Sequence, residues 1–111
     1  MEKRKIFISG PMTGKPGYNF KEFDRVELQL KSVGHDVVNP ADVSRKFKEK
    51  EILKYGDAFK RMVDEQLELL KGCNVIYLLD GWERSVGVRM ELSAALQQGC
   101  EVWLQTPGKC E

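Results

Sequence analysis

The chain has 111 residues, 41% hydrophobic and 32% charged, which suits one domain (1–111) on a single core and excludes repeat and low-complexity classes. Eighteen basic and seventeen acidic residues leave a formal net charge of +1, so no excess of positive charge draws in nucleic acid or a membrane surface.

The chain-order reading begins with "KIFIS" (5–9), a short apolar run that predicts a buried strand ending at Gly10. "GPMTGKPGYN" (10–19) is dense in Gly and Pro and reads as a loop, with Asn19 placed to cap a helix over 20–33. In that helix Phe20, Phe23, Val26, Leu30 and Val33 recur at helical spacing, Leu28 falls off the stripe, and Gly34 supplies the left-handed stop. "HDVVNP" (35–40) predicts a second strand closed by Pro40. A basic segment threaded with Glu (45–54) follows, as a solvated face or loop. The spacing then predicts a helix over 57–72, with Phe59, Met62, Val63, Gln66, Leu67 and Leu70 along one stripe. "NVIYLL" (74–79) is apolar on both faces, as a central parallel strand is. A helix over 87–99 stopped by Gly99 and a last strand over 101–106 complete the order.

Strands alternating with helices predict an α/β fold: a small open doubly wound, flavodoxin-like parallel sheet of four strands with three main helices. In strand order 2-1-3-4 the loops after the first and third strands meet, and ligands in this class bind outside the carboxyl ends of the strands. A four-stranded sheet leaves edges and helix faces open, so a homo-oligomer is expected. Cys73, Cys100 and Cys110 form no CxxC and no Cys/His cluster, so the expectation is free thiols, no metal and no cofactor. The three-residue apolar run before Ser9 is too short for a signal-peptide core, and no run approaches a membrane span, which fits a cytoplasmic setting.

Glu91 is the residue that calls for an explanation. Val88, Leu92, Ala95 and Leu96 define the apolar stripe of the last helix, which sets Glu91 on its shoulder. A carboxylate at a helix start interacts well with the helix dipole, for a few tenths to about 1 kcal/mol. A capping box would need it three residues after the cap, and Ser85 stands six before it. Partial burial must then be offset by polar side chains, water or a ligand.

Ser85, Gly87, Val88, Glu91 and Leu92, as SxGVxxEL, resemble the signature of the nucleoside 2-deoxyribosyltransferase-like superfamily, which includes deoxynucleoside monophosphate N-glycosidases. "FISGPMTG" and "GHDVVNPA" agree with it. The Gly-Pro-x-Thr-Gly loop and Gly-Trp-Glu-x-Ser-x-Gly-x-x-x-Glu are similar to a compact branch common in phage and bacterial genomes, over about residues 5 to 106. The resemblance implies that Glu91 is the nucleophile attacking the anomeric carbon, and that Ser85 and Gly87 hold a 5′-phosphate or 5′-hydroxyl. Simple capping by Ser85 and a turn at Gly87 account for the same residues without a ligand.

A glycosidase of this kind needs a proton donor for the departing base. Asp64 lies ten residues before Asn74, about 15 Å of helical rise, which matches a five-residue strand of about 17 Å. Asp64 therefore reaches the level of the site and Glu68 stops short, although Asp64 lies well off the apolar stripe. In the first loop Ser9, Gly10, Met12, Thr13 and Gly14 can turn backbone N–H groups towards a phosphate or base. Asn19 is a cap or a ligand contact. Trp82 is a stacking surface or a subunit contact, with Glu83 beside it as a polar contact. Relatives place a Tyr near the first strand to orient the nucleophile, and Tyr18 does not match that position. His35 reads as structural, and Asn39 and Asp42 border the second strand's end.

Three functions fit. The first is cleavage or transfer at the N-glycosidic bond of a nucleoside or nucleotide, hydrolysis before transfer. The second is a nucleotide-sugar or dinucleotide glycohydrolase. The third is a non-catalytic nucleotide-binding module in which Glu91 holds a ribose hydroxyl.

Overall fold

The computed structural model describes residues 3–12, 14–45 and 56–105. Along the chain run β1 (Lys5–Ser9), α1 (Phe20–Ser32), β2 (Asp36–Val38), α2 (Ala41–Ser44), α3 (Gly56–Leu70), β3 (Val75–Leu78), α4 (Val86–Gln97) and β4 (Glu101–Leu104). A 3-10 turn at Trp82–Arg84 precedes α4, and before α1 the chain passes through left-handed backbone at Gly17, Tyr18 and Asn19. The strands form one wholly parallel sheet in the order β2-β1-β3-β4. This is the α/β, flavodoxin-like arrangement read from the sequence. Thr13 and most of the basic segment, residues 46–55, lie outside the described residues.

Strand alternation divides the core in two. Phe7 on β1, with Ile76 and Leu78 on β3, packs against Leu70 of α3 and Val88 and Ala95 of α4. Ile8 on β1 and Leu79 after β3 pack on the other face with Phe23 and Val26 of α1. Burying each such side chain stabilises the fold by about 1.5–3 kcal/mol before conformational entropy is counted. Side chains two apart on a strand share a face, so Ser9 joins Phe7 on the α3/α4 side. That parity matters below.

The three main helices stop one or two residues inside the predicted bounds and start at the predicted residue or one before it. Gly34 and Gly99 adopt φ of +99° and +84° just past α1 and α4, where a residue with a Cβ would be strained. The short α2 was not legible: Asn39 Oδ1 accepts the Ala41 N–H at 2.9 Å and starts that turn right after Pro40. Asn19 does not cap α1 through its side chain. It holds a left-handed φ of +64°, and its Nδ2 donates to Pro11 O at 3.0 Å, tying the first loop to itself.

At the opposite end of the sheet His35 is buried, accepting the Arg4 N–H at Nδ1 and meeting the edge of Trp103. Cys73 and Cys100 are buried free thiols, and burial pushes the Cys73 thiol up to about 11. Among the described residues no helix is long and apolar enough to cross a membrane.

Candidate active site

The loops after β1 and β3 meet, as the strand order requires. Gly10 passes so close to Leu79 that a Cβ would lie 2.6 Å from Leu79 Cδ1, and a Cβ on Gly81 would come 3.5 Å from Pro11 Cγ. Between these loops and α3 lies a cavity of about 80 Å³ lined by Gly10, Met12, Gln66, Ser85, Gly87 and Glu91. Pro40, Met62, Val63 and Val88 complete its wall.

Glu91 stands at the centre of the buried face of α4 rather than on its shoulder. The buried positions are Val88, Glu91 and Ala95, whereas Leu96, expected on the apolar stripe, is 58% exposed. Glu91 itself is 6% exposed. Ser9 Oγ, fully buried at the end of β1, donates to Glu91 Oε1 at 2.6 Å. Burial pushes the carboxyl up to about 7, and the Ser9 hydrogen bond pulls it the other way. Among the described residues the second oxygen takes no hydrogen bond. Glu91 itself lines the cavity.

Ser85 does cap α4: its Oγ accepts the Val88 N–H at 3.2 Å, and its carbonyl accepts the Arg89 N–H. The amides of Val86 and Gly87, first in the helix, are left for solvent or a ligand, as helix geometry dictates. Gly87 lines the cavity, and so does Ser85.

The structure does not bring Asp64 to this cavity. The face of α3 turned inward carries Met62, Val63, Gln66 and Leu70, while Asp64 projects outward, its side chain 59% exposed and paired with Lys60 at 3.0 Å. Glu68 is likewise exposed and paired with Lys71. Gln66 faces Glu91's cavity instead. Its Nε2 donates to Ser44 Oγ at 3.1 Å and Pro40 O at 3.3 Å, and its buried amide lines the wall. Among the described lining residues Glu91 is therefore the one titratable group.

Of the remaining sequence candidates, Gly10 and Met12 line the cavity, and Gly14 lines an adjoining groove. Thr13 lies outside the described residues. Trp82 and Glu83 turn to a separate depression shared with Asp80 and Gln105. Asn39 is buried and donates to Asp24 and Glu27 on α1, so it braces a helix rather than the cleft. No cluster of three His, Cys, Asp or Glu among the described residues has metal-holding geometry.

Residues 4–104 match the family described as Domain of unknown function (DUF4406). The chain belongs to that family. Among solved structures, this DUF4406 chain is similar to the 2-deoxyribosyltransferase from the psychrotolerant bacterium Bacillus psychrosaccharolyticus. The TM-score is 0.68 and the identity 22%, over 90% of this chain and 70% of that one. The DUF4406 fold seen here is thus nucleoside 2-deoxyribosyltransferase-like, as the sequence resemblance implied. No curated protein matches the chain.

Proposed function

We propose that the protein breaks the N-glycosidic bond of a nucleoside or nucleotide through Glu91, with water as the acceptor ahead of a second base. One observation carries this reading: a carboxylate nine-tenths buried, held by Ser9 on one oxygen and lining a cavity. A structural carboxylate in a core is normally bonded on both oxygens or paired with a cation; among the described residues Glu91 has neither.

In this reading the ionised Oε2 attacks the anomeric carbon. A C–O bond forms as the C–N bond breaks, and the bonding pair leaves with the base, giving a glycosyl ester on Glu91. Ser9 is a positioning residue: it fixes the carboxylate's orientation and favours its ionised form. Water then cleaves the ester and regenerates the carboxylate. In this reading the departing base takes its proton from water. The α4 N-terminus, capped by Ser85 and opened by Gly87, is suited to a 5′-hydroxyl or 5′-phosphate.

The lack of a second acid among the described lining residues favours one rival, a binding module in which Glu91 accepts a hydrogen bond from a sugar hydroxyl. Incubation with a panel of deoxyribonucleosides, ribonucleosides, their phosphates and dinucleotides, followed by chromatography for free base, separates the two. Free base from at least one compound supports cleavage. Thermal stabilisation by a compound that is recovered intact supports the binder and contradicts the proposal.

A further inference from the structure

Beyond Ser85 and Gly87 the Glu91 cavity gives onto a larger groove of about 580 Å³, within the range of small-molecule sites. Pro11, Gly14 and Lys15 form one wall, and Gly81, Arg84 and Val86 form the other. Ser85 and Gly87 line both hollows, so they mark the boundary between them. Lys15 and Arg84 belong to the outer hollow alone, one from each loop.

The groove's charge is one-sided. No acidic residue lines it, and neither Lys15 nor Arg84 has an ion-pair partner among the described residues. The nearest acids in sequence, Asp80 and Glu83, line a depression around Trp82 that shares only Gly81 with the groove. Among the described residues Lys5, Lys21 and Arg89 also lack a carboxylate partner, but none of them lines the groove. With a net charge of only +1 overall, an uncompensated pair of cations at the mouth of a buried carboxylate is a local feature.

We propose that this outer groove holds the phosphate chain of a nucleoside di- or triphosphate, with Lys15 and Arg84 gripping the phosphates beyond the first. The proposal rests on the reading of Glu91 as the group that meets the sugar, because that reading sets the direction in which the ligand lies. One phosphate at the Ser85–Gly87 boundary accounts for the Val86 and Gly87 amides and the positive end of α4. It leaves the two cations unaddressed, since both stand further out on walls the inner cavity does not share. Charge further along the same substituent addresses them. Arg84 can meet two phosphate oxygens at once through its planar fork, and Lys15 adds a point charge from the opposite loop.

The test is isothermal titration at fixed ionic strength without added metal, using the Glu91→Gln protein so that nothing is consumed. The ligands are the four deoxynucleoside monophosphates, diphosphates and triphosphates, and inorganic tripolyphosphate. For at least one base, affinity is expected to rise about tenfold or more from mono- to di- or triphosphate. Lys15→Ala and Arg84→Ala each remove most of that gain and leave monophosphate affinity nearly unchanged, whereas Lys21→Ala, on the outer surface of α1, preserves it. Equal affinity across the phosphate series, a gain that survives the Lys15/Arg84 double substitution, or no binding at all overturns the proposal. Inorganic tripolyphosphate binding as tightly as the triphosphates overturns the nucleotide assignment. Base release by the wild type is scored separately. A phosphate gain without release keeps the groove and sinks the glycosidase, and release without a gain does the reverse.

Discussion

The Ser9 hydroxyl donates to Glu91 Oε1 at 2.6 Å, across 82 residues of sequence and wholly inside the protein. The last residue of the first strand thereby fixes the one titratable group that the described residues bring to the cavity. Opposing influences meet there: burial disfavours the charge, and the hydroxyl favours it.

A pH profile follows. Glu91 must be ionised to attack, so kcat/KM for base release rises with pH through about 7 and then stays level. Ser9→Ala removes the influence that lowers the pKa, so its rising limb moves to higher pH. Assays from pH 5 to 9 on both proteins check this. A limb that stays put in Ser9→Ala contradicts the positioning role.

Stability carries the same signature with a definite sign. The folded-state pKa of Glu91 is about 7, against an ordinary 4.5. Below pH 4.5 the group is protonated folded or unfolded and contributes nothing. As pH rises from 4.5 to 7 the unfolded chain gives up the proton first, so the folded state loses stability, by on the order of 1–3 kcal/mol at pH 8. Glu91→Gln removes that cost. It should melt higher than the wild type at pH 8 and equal it near pH 4. A gap independent of pH would show that burial does not perturb the carboxyl.

Two glycines of the cavity should respond oppositely. A Cβ on Gly10 lands 2.6–2.8 Å from three carbons of buried Leu79, so Gly10→Ala should cost about 1–3 kcal/mol in urea unfolding. A Cβ on Gly87 meets nothing nearer than Ser85 Oγ at 3.8 Å. Gly87→Ala in the first turn of α4 should therefore leave stability unchanged or gain up to about 1 kcal/mol, while its methyl weakens substrate binding. Equal destabilisation by both would contradict this division.

Asp64 offers a negative control. It is exposed and its partner is Lys60 one turn away, so Asp64→Asn should leave base release within about twofold and cost about 0.2–0.5 kcal/mol, the worth of such a helical pair. A large loss of activity, measured beside an unchanged circular dichroism spectrum, would place a catalytic proton on α3 after all.

Much of this was legible because local signals agreed with one another. Apolar runs at 5–9 and 74–79, glycine stops at 34 and 99, and alternating elements dictate a parallel sheet. The meeting of the first and third loops follows from strand order alone. Side-chain direction was harder. The axial rise of α3 sets Asp64 level with the site, but rotation about the helix decides what faces inward, and that face belongs to Met62, Val63 and Gln66. Gln66 had a visible signal, an amide in the middle of an apolar stripe. Ser9 had one too: its parity with core-facing Phe7 points its hydroxyl at α4, although the sequence reading used only its backbone amide. Glu91 looked peripheral because Leu96 was counted as core, and Leu96 is exposed. The pairing of a strand-end hydroxyl with a helix carboxylate 82 residues away is tertiary, and no local pattern announces it.

The most direct measurement is the rate of base release by Glu91→Gln at pH 8, on whichever nucleoside or nucleotide the wild type cleaves. Gln keeps the shape and can still accept the Ser9 hydrogen bond, but it cannot attack a sugar. A loss of about a thousandfold or more, some 4 kcal/mol of barrier, is expected. A variant that releases base within tenfold of the wild type would contradict Glu91 as the nucleophile.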